Sequence, residues 1–196
     1  MRTLLLVRHG ETPWNAARRL QGAADLPLGP AGRAQAAALA PLVAALAPDA
    51  AVASDLARAR ETAALLGFPA AAPDPRWRES HLGRWTGRAA SELPPGHHRE
   101  WRAGRRTPPG GESWERLGAR VGAALAELRE GGGGAVLVVT HGGPIRRALV
   151  LLVGLDPDRA VPPRTGSLTI VDLDGTARLR AYNLTPGRPP AAPPVR

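Results

Sequence analysis

The sequence predicts an α/β fold in which a largely parallel sheet is covered by helices on both faces. Short apolar runs alternate with longer stretches of helical periodicity along most of the chain, the pattern of strand–helix–strand units. The runs at 3–8 and 135–140 are nearly continuous in Leu and Val, as expected of strands buried on both faces. The chain's 196 residues suffice for one domain with its own core.

Taken in order, Thr3 to Val7 reads as a short buried strand that ends in Arg8. Thr12-Pro13 reads as the cap and first-turn proline of a short helix. Residues 20–29 read as loop, and Gly29 to Ala47 as an amphipathic helix in which Pro41 is a kink or a break. Ala50 to Ala53 reads as a second strand, after which Ser54 or Asp55 caps a helix over Leu56 to Leu66. Pro73 to Trp77 reads as a third, weaker strand. Residues 79–112 crowd Pro, Gly, His, Arg and Trp together with little periodicity and read as a lid-like insertion. Ser113 to Glu130 reads as a helix weakened by Gly118 and Gly122, and Gly131 to Gly134 as its flexible stop. Ala135 to Thr140 reads as a strongly buried strand and Pro144 to Val153 as a helix that starts directly after Gly142-Gly143. Ser167 to Leu173 and Ala177 to Tyr182 read as a hairpin turning at Asp174-Gly175. One domain over 1–183 and a Pro-rich, disordered tail over 184–196 complete the expectation, and there is no internal repeat.

There is no cysteine, which excludes a disulfide framework and a thiolate metal site. The formal net charge is +9, and every one of the 26 basic residues is arginine. Ala, Gly and Pro are inflated together with Arg, so base bias is the first reading of that charge and affinity for a small anion the second. Nucleic acid is not an expected partner: the arginines are spread along the chain, with no zinc-finger spacing and no interleaved aromatic and basic platform. Leu4 to Val7 ends at once in Arg8, so no N-terminal signal is read. The richest apolar stretch, Ala34 to Ala47, is short and broken by Pro41, so no membrane span is expected. A cytoplasmic protein is the resulting default. Oligomeric state is not written in the chain, although a homodimer is compatible with it.

In sheets of this kind ligands sit beyond the carboxyl ends of the strands. The first strand delivers Arg8-His9-Gly10-Glu11-Thr12, the second Ser54-Asp55-Leu56-Ala57-Arg58, and the long buried strand Thr140-His141-Gly142-Gly143. Two histidines and two arginines therefore meet at one rim. The planar fork of arginine suits phosphate, and helix N-termini near Thr12-Pro13 and Gly143-Pro144 would add N–H groups. Such a rim neutralises a phosphoryl group without a metal or cofactor. A neutral imidazole is a competent nucleophile, and Glu79, after Trp77-Arg78, is a candidate proton donor.

The run Arg8-His9-Gly10-Glu11-Thr12 resembles the signature of the histidine phosphatase superfamily, in its phosphoglycerate mutase-like branch. Further along, the same pattern is met by Asn15, Arg19-Leu20-Gln21-Gly22, Asp25-Leu26-Pro27-Leu28, Gly32 with Gln35-Ala36, and Ser54 to Ala59 with Thr62-Ala63. Glu79 with Gly83 and Trp85, Pro109-Gly110-Gly111-Glu112-Ser113 and Val139 to Gly143 continue it, so the resemblance spans roughly 3–182. It implies a three-layer α/β/α sandwich. It also implies that His9 is the residue phosphorylated, that Arg8, Arg58 and His141 bind the phosphoryl group, and that Glu79 is the acid and then the base. Asn15, Gln21 and Gly22 are implied to line the substrate pocket, and the backbone after His9 to supply N–H donors. No metal and no cofactor are implied. The expected activity is hydrolysis of a small anionic phosphate ester. Phosphoryl transfer between hydroxyls, as in a mutase, and a non-catalytic phospholigand module are the alternatives. The short insertion after Glu79 and its lack of tyrosine favour hydrolysis over the mutase.

Thr86 stands where many relatives of that family carry Glu. His81 could assist or replace Glu79. Glu11 reads as a brace for its loop, Glu112-Ser113 as a pocket element or simply the cap of the next helix, and Trp14, Trp77, Trp85 and Trp114 as packing residues. The Arg-rich segment 84–106 reads either as a solvated loop or as a lid that selects a second negative group, with Arg102 and Arg105 as its cations.

Overall fold

The structure, a computed structural model, describes residues 2–186. Six strands form one sheet: β1 (Arg2–Arg8), β2 (Ala50–Ala53), β3 (Ala72–Pro73), β4 (Gly134–Thr140), β5 (Leu168–Asp172) and β6 (Arg178–Leu184). Their order across the sheet is β3-β2-β4-β1-β5-β6. The first four are parallel to one another, while β5 and β6 add an antiparallel edge turned at Asp174-Gly175. The helices are α1 (Pro13–Ala16), α2 (Pro30–Ala45), α3 (Ala57–Leu65), α4 (His97–Arg102), α5 (Trp114–Glu130) and α6 (Gly142–Val153).

Because side chains alternate across a strand, β1 feeds both cores. Leu4 and Leu6 pack with Val136 and Val138 beneath α5 and α6, against Leu117, Val121, Ile145 and Leu149. Leu5 and Val7 pack with Leu137 and Val139 on the other face, against Leu39 and Val43 of α2 and Ala59 and Ala63 of α3. This is a three-layer α/β/α sandwich, as the sequence predicts. Each fully buried leucine contributes about 2 kcal/mol of transfer free energy, so the central strands carry both cores. Among the described residues no helix is long and apolar enough to cross a membrane.

Several boundaries differ from the expectation, each for a local reason. The third strand is only Ala72–Pro73. Asp74 then accepts a hydrogen bond from the Arg76 amide at 2.8 Å and starts a 3₁₀ turn over Pro75–Trp77. Helix α2 runs unbroken through Pro41. Pro41 and Ala37, whose carbonyl loses its bond, both lie on the exposed side, where the defect is cheapest. Neither Ser54 nor Asp55 caps α3; the Ala57 amide donates to Asp25 at 2.7 Å instead, and Asp55 pairs with Arg78. Helix α6 begins at Gly142, two residues earlier than read, with His141 as its cap.

The 79–112 insertion is not structureless. It holds 3₁₀ turns at Gly83–Trp85 and Ala90–Glu92 and the helix α4, and its Leu82, Trp85 and Leu93 bury one another against Leu20 and Trp101. The expected tail over 184–196 begins one residue too early, since Leu184 ends β6, and 187–196 lie outside the described residues.

Candidate active site

The parallel pairing of β1 with β4 sets Arg8 opposite Thr140, so the next residue of each strand leaves the sheet side by side. Those residues are His9 and His141, whose rings lie 5.0 Å apart between centroids. On the far side of β4, the Ser54 amide donates to Val139 O at 2.8 Å, and the Ser54 hydroxyl lies 2.8 Å from Nε2 of His141. The site is thus assembled by sheet register.

His9 is 3% exposed and its orientation is fixed. Its Nδ1 lies 2.7 Å from the Gly10 carbonyl, which can only accept, so Nδ1 carries the proton and Nε2 presents a lone pair. That lone pair accepts from Nε of Arg58 at 3.3 Å, while the two terminal nitrogens of Arg58 donate to Ala24 O at 2.6 Å and Gly22 O at 2.8 Å. Gly10 is required there because a side-chain carbon would lie 2.2 Å from Gly32 O at the start of α2. Burial, then the charges of Arg58 and Arg8, hold the His9 imidazole well below its ordinary pKa, and burial followed by Arg58 does the same for His141. Burial also brings Arg58 down to about 10.

Glu79 reaches the rim from the segment after Trp77. Its Oε1 accepts from the Ser80 amide at 2.8 Å and its Oε2 from the Gly143 amide at 3.1 Å, at the N-terminus of α6. A side chain at 143 would place its first carbon 2.1 Å from Oε1 of Glu79, so glycine there makes room for the carboxylate.

These groups face a cavity of about 250 Å³. Arg8, His9, Asn15, Gln21, Gly22, Arg58 and Glu79, all candidates from the sequence, are brought together around it. His141 packs behind His9 and is not among the lining residues, so of the implied phosphate ligands it alone stands back from the cavity. Nδ1 of His141, Nε of Arg8 and Oε1 of Gln21 are buried with no hydrogen-bond partner among the described residues. Such atoms each cost about 1–3 kcal/mol unless a ligand satisfies them.

A scan against family models matches residues 4–185 to the histidine phosphatase superfamily, branch 1. This chain belongs to that superfamily. The chain is 37% identical over 194 residues to a glucosyl-3-phosphoglycerate phosphatase of Mycolicibacterium vanbaalenii, covering 91% of this chain and 86% of that protein. It is equally 37% identical over 185 residues to a probable phosphoglycerate mutase of Yersinia enterocolitica, covering 88% and 85%. Among solved structures, a mycobacterial glucosyl-3-phosphoglycerate phosphatase complexed with VO3 superposes with a TM-score of 0.87 at 33% identity, covering 93% of this chain and 99% of that one. The resemblance read from the motifs, the fold and the assignment to a phosphatase enzyme are borne out.

Other expectations for this histidine phosphatase need correction. The helix α1 does not offer its N-terminus to the rim, because Thr12 and Asn15 close it with a reciprocal capping box. The amides after His9 are likewise already used: Gly10 N donates to Thr62 Oγ1 at 3.1 Å and Glu11 N to Gln35 Oε1 at 2.9 Å. His81 does not line the cavity; its Nδ1 accepts from the Gly83 amide at 3.3 Å. Of the lid cations, Arg102 lines the cavity, whereas Arg105 faces away and pairs with Asp158 at 2.5 Å.

Sequence reasoning missed Arg146 and Trp101, which also line the cavity, as does His98 of the segment 84–106. Arg146 is 6% exposed, its guanidinium 5.7 Å from the Trp101 ring and 5.8 Å from the Trp114 ring, and it donates to the Arg102 carbonyl. Burial lowers its pKa to about 10. The available signal was an arginine, Arg146, on the buried side of a helix whose one other charged residue is Arg147.

Proposed function

We propose that this protein is a metal-independent phosphomonoesterase that works through phosphorylated His9. The observation that carries the reading is the His9 imidazole, neutral, buried and oriented by Gly10 O so that Nε2 faces a cavity walled by arginines. In the first step Nε2 of His9 attacks phosphorus, the N–P bond forms and the P–O ester bond breaks. Glu79 enters this step as the carboxylic acid, gives its proton to the leaving alkoxide and becomes the carboxylate. The phosphoimidazolium keeps its proton on Nδ1, which donates it in a hydrogen bond to the Gly10 carbonyl. In the second step water attacks phosphorus and gives its proton to Glu79, the N–P bond breaks, and inorganic phosphate leaves with His9 neutral again.

Arg8 and Arg58 bind the phosphoryl oxygens, and His141 backs them through its unpartnered Nδ1. Asn15, Gln21 and Gly22 contact the substrate. Five arginines, Arg8, Arg19, Arg58, Arg102 and Arg146, line the cavity against the one carboxylate of Glu79. That field supports direct charge stabilisation of a phosphoryl group and repels a divalent cation. It also exceeds what one phosphoryl dianion needs. Arg102 and Arg146 on the lid side therefore favour a small ester with a second negative group, in line with the phosphoglycerate names of the relatives. One domain that ends with β6 at Leu184, with 79–112 as its lid, and a cytoplasmic setting with a small-molecule partner belong to the same proposal.

The test is release of phosphate from p-nitrophenyl phosphate in EDTA by the wild type and by His9→Ala, with acid-quenched or intact-mass detection of the phosphoenzyme. Turnover and a phosphoenzyme that both vanish in His9→Ala are the expected result. Turnover that survives in His9→Ala overturns the nucleophile, and turnover that EDTA abolishes overturns metal independence.

A further inference from the structure

Glu112 and Arg120 lie outside the cavity, yet they hold the segment that carries Glu79. Arg120, on α5, forks onto Glu112 with Nε to Oε1 at 2.7 Å and Nη2 to Oε2 at 2.8 Å. Its remaining terminal nitrogen, Nη1, donates to two main-chain carbonyls, Arg76 O and Arg78 O, at 2.7 Å each. The Glu112 amide donates to His81 O at 2.7 Å. The carbonyl between the two that Arg120 holds, that of Trp77, accepts from Thr140 Oγ1 at 2.6 Å. Carbonyls 76, 77, 78 and 81 are therefore all tied down around Glu79.

Both side chains of the ion pair are mostly shielded, 20% exposed for Arg120 and 15% for Glu112. A bidentate pair of this kind is geometrically demanding, and its cation is committed to four acceptors at once. Neither residue lines the cavity. Removing Arg120 leaves the Glu112 carboxylate without its partner and two carbonyls without donors, but it leaves both carboxylate contacts of Glu79, to Ser80 N and Gly143 N, in place.

We propose that Glu112 and Arg120 are positioning residues for proton transfer by Glu79, acting through the main chain of 76–81. This rests on Glu79 being the acid of the proposed mechanism. General acid catalysis matters in proportion to the basicity of the leaving oxygen: an alkoxide needs a proton, whereas p-nitrophenolate leaves without one. A pair that only stabilises the fold affects both leaving groups alike. A pair that aims the acid penalises the alkyl ester alone.

The experiment compares kcat/KM for glycerol 3-phosphate and p-nitrophenyl phosphate in wild type, Arg120→Met, Glu112→Gln and Glu79→Gln, with circular dichroism and thermal melts on each. Glu79→Gln, the benchmark, is expected to lose about 10²-fold or more on the alkyl ester and much less on the aryl ester. Arg120→Met and Glu112→Gln are expected to show the same selective loss, at about tenfold, with a proton-donor limb in the pH profile that is displaced from the wild-type position. Equal losses on both esters in the two variants, no loss, or unfolding of both variants overturns the positioning role. If Glu79→Gln itself affects both esters equally, the acid assignment fails, and that outcome is distinct from failure of the pair.

Discussion

Nε of Arg58 donates to Nε2 of His9 at 3.3 Å, so the guanidinium occupies the lone pair that attacks phosphorus in the proposed mechanism. The contact is long and is readily exchanged for a phosphoryl oxygen, which leaves Nε2 free at the moment a substrate arrives. Arg58→Met should lower kcat/KM by about 10²–10³-fold, the usual cost of one preorganised donor. Removing that positive neighbour should also raise the His9 pKa towards its ordinary value, although burial keeps it below. An NMR titration of the imidazole Cε1–H resonances in both proteins measures this, and an unchanged His9 pKa overturns the electrostatic coupling.

Stability should fall on acidification through the histidine range. His9 and His141 are neutral in the folded protein below the ordinary value of 6.5, while in the unfolded chain they take up protons there. Above pH 6.5 neither state is charged and the difference vanishes. Below it the unfolded state binds more protons, and each histidine costs about 1.4 kcal/mol per pH unit until its folded pKa is reached. Urea unfolding at pH 7.5 and pH 5.0 should show a lower midpoint in acid with an unchanged slope. Equal midpoints would contradict buried neutral imidazoles.

Arg102 and Arg146 should set preference rather than chemistry. Arg102→Ala and Arg146→Met should reduce the ratio of kcat/KM for 3-phosphoglycerate to that for p-nitrophenyl phosphate by about tenfold, whereas Arg105→Ala, whose side chain pairs with Asp158, should leave the ratio as it is. One charge-assisted hydrogen bond is worth about 1.5–3 kcal/mol, which is the scale of that change. A ratio that does not move in either cavity variant removes the second-anion reading.

Gly143→Ala should damage catalysis without unfolding the protein. Alanine favours the helix it begins, but its methyl would meet Oε1 of Glu79 at 2.1 Å, and the carboxylate rather than the backbone must give way. The expected result is a melting temperature close to wild type with a loss of about 10²-fold in kcat for an alkyl phosphate. Wild-type turnover in this variant would show that Glu79 needs no fixed place.

The strands at 3–8 and 135–140 were legible because each is a run of Leu and Val that both faces of the sheet bury, and residues 3–7 together with the hairpin over 167–182 were placed nearly to the residue. Pro73 to Trp77 misled because Pro75 and Asp74 favour a turn that only the local hydrogen bonds reveal. The elements of the lid are each shorter than a helical or strand period can signal, and they form because Leu82, Trp85 and Leu93 pack with Trp101 of the same segment and with Leu20 from a distant stretch of chain. Among site residues, the strand-end motifs gave His9, Arg8, Arg58 and Glu79 their places at the cavity. His141 stood back from it, and Arg146 carried no motif at all, since its role depends on which side of α6 faces the lid.

The lid is moored by a bond that does not read a side chain. Arg146 holds α4 through the main-chain carbonyl of Arg102, and a carbonyl survives every substitution at 102. The position that faces the substrate can therefore drift to a shorter, neutral or acidic residue while the lid stays docked. At position 102 side-chain chemistry and docking are separable, and a lineage could retune the one by single base changes without first having to repair the other, whereas Arg146 both lines the cavity and holds α4.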